Sequence, residues 1–83
     1  MFEYTTQGTC SKKITFEVDG ENKLRNVQFT NGCHGNLQGI AKLAEGRTLD
    51  EVEPLLSGIR CGMKSTSCPD QLARAIRAYK ATL

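Results

Sequence analysis

The chain has 83 residues, with 11 Lys and Arg against 9 Asp and Glu, one His, four Cys and no Trp. That length fits one domain over residues 1–83 and excludes an enzyme with separate cofactor and substrate lobes. A net charge of +2 with both signs interspersed gives no strong electrostatic case for nucleic acid or for an acidic membrane surface.

Met1 to Gly8 lack the basic and apolar regions of a signal peptide, and no apolar run approaches the ~20 residues of a membrane span. The expectation is a cytoplasmic protein without a membrane-spanning segment. Phe2-Glu3-Tyr4-Thr5 suits a short strand. Ile14, Phe16 and Val18 alternate with Thr15, Glu17 and Asp19, the period of a half-buried strand. Asp19-Gly20-Glu21-Asn22 signals a turn. Val27 and Phe29 then mark a second strand of a hairpin. Leu24 is out of phase with that pair, which points to a bulge or a turn contact.

The remainder reads as helical. Asn31 to Asn36 form a loop with two glycines. Leu37, Ile40, Ala41 and Ala44 then mark one face of a helix that stops near Gly46. Thr48 with Glu51 is a capping box, opening a short helix that carries Leu49, Val52, Leu55 and Leu56. Pro54 inside that segment predicts a kink or an early end. Ser57 to Ser67 is a loop. Cys68-Pro69-Asp70 opens the last helix, since Pro suits its first turn and an acidic group its positive end. Leu72, Ile76, Tyr79 and Leu83 form its apolar stripe, with Arg74, Arg77 and Lys80 on other faces. The fold class is α+β: a small antiparallel sheet of two or three strands followed by two or three helices.

Cys10, Cys33, Cys61 and Cys68 each fall at a break between these elements, off the apolar stripes where a Cys acts as a small hydrophobe. In a reducing compartment, four Cys lean towards metal or redox chemistry. Cys33 and Cys68 lie near helix N-termini, where backbone N–H groups stabilise a thiolate, the form that binds Zn²⁺ or iron. The intervals of 22, 27 and 6 intervening residues contain no C-x₂-C knuckle. The residues by themselves leave three readings open: one shared Cys₄ site, thiol redox or disulfide chemistry, and four unrelated structural thiols. Size favours the first. Below roughly 70–80 residues a hydrophobic core supplies only a few kcal/mol, whereas a structural Zn²⁺ contributes on the order of 10–16 kcal/mol to a small peptide.

The run Thr66-Ser67-Cys68-Pro69-Asp70-Gln71-Leu72-Ala73 resembles the motif that gives the TSCPD domain its name. Gly8-Thr9-Cys10-Ser11, Phe16-Glu17-Val18-Asp19-Gly20, Gly32-Cys33-His34-Gly35-Asn36-Leu37 and Gly58-Ile59-Arg60-Cys61-Gly62 resemble its small standalone four-cysteine members. The same domain stands at the C-terminus of adenosylcobalamin-dependent ribonucleoside-diphosphate reductases, where its cysteines are held to bind metal. An 83-residue chain has no room for a reductase barrel and its nucleotide sites. The resemblance therefore implies an accessory role in deoxyribonucleotide synthesis, with a reductase as candidate partner, and not catalysis by this chain alone. The order of Cys10, Cys33 and Cys68 is also similar to that in IscU/NifU-type iron–sulfur scaffolds, as is Gly46-Arg47-Thr48-Leu49-Asp50-Glu51. Ser67 stands where the scaffolds often have His, and Cys61 is additional; it would close a tetrathiolate site.

His34 beside Cys33 is either a further ligand or a solvated loop residue. Lys64 near Cys61 and Cys68 is a thiolate partner or a solvated Lys. Arg74, Arg77 and Lys80 are either an exposed helix face or part of a phosphate- or nucleic-acid-binding face, and the lack of a strong basic excess favours the first. Asp50, Glu51 and Glu53 suit a helix start better than acid–base chemistry. The expectation is a metal-binding module in which Cys10, Cys33, Cys61 and Cys68 hold Zn²⁺. An iron–sulfur scaffold or carrier stands second and a thiol redox protein third.

Overall fold

The computed structural model describes residues 1–9, 12–30 and 34–83. Three strands, β1 (Phe2–Thr5), β2 (Lys13–Val18) and β3 (Leu24–Thr30), form an antiparallel sheet in the order β1-β2-β3. Three helices follow: α1 (His34–Ala44), α2 (Leu49–Leu56) and α3 (Cys68–Lys80). Helix α1 packs on β3, α3 on β1, and α2 on α3. No described helix is long and apolar enough to cross a membrane.

The alternation in β2 works as its sequence predicts on one face, where Ile14 and Phe16 are fully buried. Thr15 is buried as well, against the half-buried pattern. It sits on the central strand, paired with Glu3 of β1 and Gln28 of β3. The out-of-phase Leu24 is explained by a bulge. Between the pairs Thr15↔Gln28 and Glu17↔Arg25, β3 carries one residue more than β2. Asn26 takes up the extra residue in a left-handed conformation, φ +55°, which Asn tolerates better than most side chains. Its N–H donates to Glu45 Oε1 of the α1 C-terminal segment (3.0 Å). The phase reset lets Leu24 and Val27 both be buried.

The β2–β3 turn is held by Asp19, whose Oδ1 accepts the N–H groups of Glu21 (2.9 Å) and Lys23 (3.0 Å). Helix α1 begins at His34, so His34, Gly35 and Asn36 belong to it and not to the preceding loop. It ends before Gly46, which has φ +78°. The Gly46 N–H donates to the Leu24 carbonyl (2.8 Å) and the Leu24 N–H to the Arg47 carbonyl (2.9 Å). The link between α1 and α2 is thereby fastened to the start of β3. Thr48 and Glu51 form the expected capping box at the N-terminus of α2. That helix passes through Pro54 and ends two residues later at Leu56.

The core joins sheet and helices through Ile14, Phe16, Leu24, Val27, Leu49, Val52, Leu72 and Ile76. At its edge the rings of Phe2 and Phe16 lie 5.4 Å apart, and Tyr79 of α3 meets Phe2 edge-on at 5.5 Å. Leu55 and Leu83 stay outside the core, Leu83 against the buried stripe expected for α3. Leu55 is 67% exposed, and Leu83 is 84% exposed. Leu55 lies about 120° round α2 from Leu49 at roughly 3.6 residues per turn, and Leu83 lies beyond the end of α3.

Candidate metal centre

The candidate cysteines that the structure describes lie at and before the N-terminus of α3. Ser67 is the N-cap, with extended backbone (φ −151°, ψ 170°). Its Oγ accepts the Asp70 N–H (3.1 Å) and donates to the Ile59 carbonyl (2.6 Å). Cys68 is the first residue of the helix and is buried. The following Pro69 lies in the first turn, where a missing N–H costs nothing.

Asp70 is only 3% exposed, and three donors surround its carboxylate. The Gly58 N–H donates to Oδ1 (2.7 Å), while the Thr66 hydroxyl and Arg74 Nε (3.0 Å) donate to Oδ2. Burial pushes this carboxyl up, but the hydrogen bonds from Thr66 and Gly58 and the Arg74 charge outweigh it. The net shift is below the ordinary value of 3.8, so Asp70 is an anion at neutral pH. Gln71, 1% exposed, completes the network. Its Nε2 donates to Thr66 Oγ1 (2.9 Å), and its Oε1 accepts the Gln7 N–H (3.2 Å).

This network ties the segment before Cys10 and the loop that carries Cys61 to the start of α3. Cys61 is exposed, and its N–H donates to the Thr66 carbonyl (3.1 Å). A turn closed by the Lys64 N–H on the Cys61 carbonyl (3.0 Å), with Gly62 at φ +58°, folds residues 61–66 back towards the start of α3. Cys10 and Cys33 lie outside the described residues. The segments beside them do not. Gly8 has φ +75°, and a Cβ there would stand 3.2 Å from Thr66 Cγ2. The Thr6 N–H donates to the Lys12 carbonyl (3.1 Å) and the Lys12 N–H to the Thr30 carbonyl (2.8 Å). The chain thus leaves β1, enters β2 and leaves β3 at one end of the sheet, and the Gln7–Gln71 bond ties that end to the start of α3.

Among the described residues no three His, Cys, Asp or Glu side chains form a group that could hold a metal. Cys61 and Cys68 are the described thiols of the predicted set, and no disulfide joins them to each other. Thiol ligands suit Zn²⁺ and iron–sulfur clusters, so the chemistry of the four-cysteine donor set fits either group. His34 contributes the first backbone position of α1, and Lys64 is an exposed turn residue.

The three basic residues of α3 have partners. Arg74 pairs with Asp70, Arg77 with Glu53 (3.5 Å), and Lys80 with Asp50 (2.7 Å) and Glu53 (2.9 Å). Asp50 and Glu53 therefore bind α2 to α3 and do more than complement a helix end. The buried roles of Thr66 and Gln71 were not legible in composition or period. One signal was available: Ser67 and Asp70 have the spacing of an N-cap and its third helical residue.

A three-stranded sheet backed by three helices, with a Cys at the start of the last, defines a small α+β cysteine-bearing domain. The TSCPD domain model matches residues 2–80. The chain belongs to the TSCPD domain family. No curated protein and no solved structure matches it.

Proposed function

We propose that this chain is a metal-binding module in which Cys10, Cys33, Cys61 and Cys68 together hold one Zn²⁺ in a structural role. One observation carries this reading: the Gln7 N–H donates to Gln71 and the Cys61 N–H to the Thr66 carbonyl, which ties the segment before Cys10 and Cys61 itself to the start of α3, while Lys12 and Thr30 are bonded to each other at the same end of the sheet. Four thiolates would close the coordination sphere of Zn²⁺ and leave no open position for substrate. Bound there, the ion supplies a crosslink between segments distant in sequence. The chain's own residues set the positions of those segments: Ser67 caps α3, Asp70 holds Gly58 and Thr66, and the 61–66 turn returns Cys61 towards Thr66.

Elemental analysis of reduced protein purified without air tests the proposal. The expected result is one zinc per chain, lost when Cys61→Ser and Cys68→Ser are combined. A folded, metal-free protein that takes up no added Zn²⁺ overturns it. A brown protein with iron and sulfide would replace Zn²⁺ by a cluster at the same cysteines and make the module a scaffold or carrier.

The finer role is accessory to deoxyribonucleotide synthesis, and it rests on the resemblance to the reductases' C-terminal domain. Titration of the zinc-loaded chain against a ribonucleoside-diphosphate reductase and against nucleotides checks it. Absence of binding to both ends that part of the reading.

A further inference from the structure

We infer that Gln71 is a positioning residue for the metal site: its buried carboxamide clamps the segment entering Cys10 to the segment entering Cys68. The inference rests on the metal reading above. Gln71 lies in α3 between Asp70 and Leu72, both buried. A carboxamide in such a place is costly unless its donors and acceptor are used. Here Oε1 accepts from the Gln7 backbone, 64 residues away in sequence, and Nε2 donates to Thr66 Oγ1. This side chain reaches from α3 to the residues just before Cys10.

The direction of the chain of bonds sets what the residue must be. The Thr66 hydroxyl gives its proton to Asp70, so it can only accept from residue 71. The Gln7 N–H requires an acceptor. One side chain must donate at one end and accept at the other, which a carboxamide does and a carboxylate does not. The close approach of Gly8 to Thr66 shows the two segments meeting beside this clamp. Asp70 serves a different purpose, since its partners Gly58, Thr66 and Arg74 hold the loop before α3. Groups bonded directly to metal ligands typically change metal binding by about 10–100-fold, and Gln71, which acts through the segments that carry the ligands, is expected at the lower end of that range.

The test uses the reduced full chain and competition between a chelator and Co²⁺ or Zn²⁺. Co²⁺ absorption reports the thiolate geometry. Gln71→Leu fills similar space without the clamp, and Gln71→Glu keeps the length and the acceptor but cannot donate to Thr66. Val52→Ala, a buried position in α2, serves as a control for general destabilisation. Both Gln71 variants are expected to lose about 10-fold or more in metal affinity and to shift the Co²⁺ bands. In metal-free protein Gln71→Leu, which removes the acceptor, should also speed hydrogen exchange at the Gln7 amide, whereas Gln71→Glu should not. Val52→Ala should leave the bands in place and lose affinity only by the factor that its own loss of stability accounts for. Where Gln71→Leu fails to fold, Gln71→Glu decides alone. Parent-like affinity and bands in a folded Gln71 variant overturn the inference while the metal reading stands. So does an equal loss in Val52→Ala at equal loss of stability, which would make the effect one of global stability. Failure of the parent chain to bind either ion overturns the metal reading and this inference with it.

Discussion

Asp70 sets the character of the α3 N-terminus. A buried carboxylate is stable only when donors replace its water, and Gly58, Thr66 and Arg74 do so. Asp70→Asn keeps the shape but loses the charge and turns one acceptor oxygen into a donor facing donors. A loss of about 1.5–3 kcal/mol is expected, the range for hydrogen bonds to charged groups, read from urea unfolding at neutral pH. The folded carboxyl is held below its ordinary value of 3.8. Its stabilisation is therefore complete above that value and is lost as the pH falls through the lower folded value. The gap between Asp70→Asn and the parent should close on acidification through that window. A gap that persists at lower pH would show that the charge is not the source.

Among the elements, β3 and the α2–α3 pair show how distant partners fix local structure. The bulge at Asn26 brings Leu24 and Val27 onto the core. A β-branched residue is strained in the left-handed region and Gly is not. Asn26→Val should lower stability by about 1–2 kcal/mol relative to Asn26→Gly in thermal unfolding. Equal stability would mean that the backbone strain is relieved elsewhere. The pairing of α2 with α3 is electrostatic at its rim, where hydrogen bonding by Lys80 is the main cause that lowers the Glu53 carboxyl below 4.5. Glu53→Gln should cost no more than about 1 kcal/mol, as for other partly exposed ion pairs. Most of that difference should vanish at about 1 M salt, where the screening length is about 3 Å. Unfolding curves with and without salt distinguish this from a packing effect, which salt would leave in place.

At the scale of the whole molecule, stability is the quantity in shortest supply. Leu72 is fully buried where α3 meets the sheet, and Leu72→Ala should cost about 2–5 kcal/mol. That is a large share of the 0.05–0.15 kcal/mol per residue, roughly, that a domain holds. The metal-free variant is expected to lose its helix signal in circular dichroism at temperatures where the metal-free parent keeps it. If the metal reading is right, Zn²⁺ at about 100 times its dissociation constant adds about 2.7 kcal/mol. It should then restore helix content in the variant and raise the melting temperature of the parent, and a chelator should reverse both. Melting curves indifferent to zinc would count against a role for metal in holding the fold.

The sequence by itself determined the elements, because their signals are local. Alternation marks β2, the Thr48–Glu51 box opens α2, and Pro69 and Asp70 open α3. It also placed Cys61 in a loop and Cys68 at a helix start. Leu24 was legible only as a fault in phase, since a bulge exists in relation to the strand opposite. Tertiary structure alone decided that Asp70 and Gln71 are buried, that Thr66 links them, and that Arg77 and Lys80 pair with α2. The period of α3 puts polar side chains on its margins but carries no information about what covers them. What covers this helix start is the backbone of Gln7 and Gly58, brought there by a sheet and a loop far away in sequence.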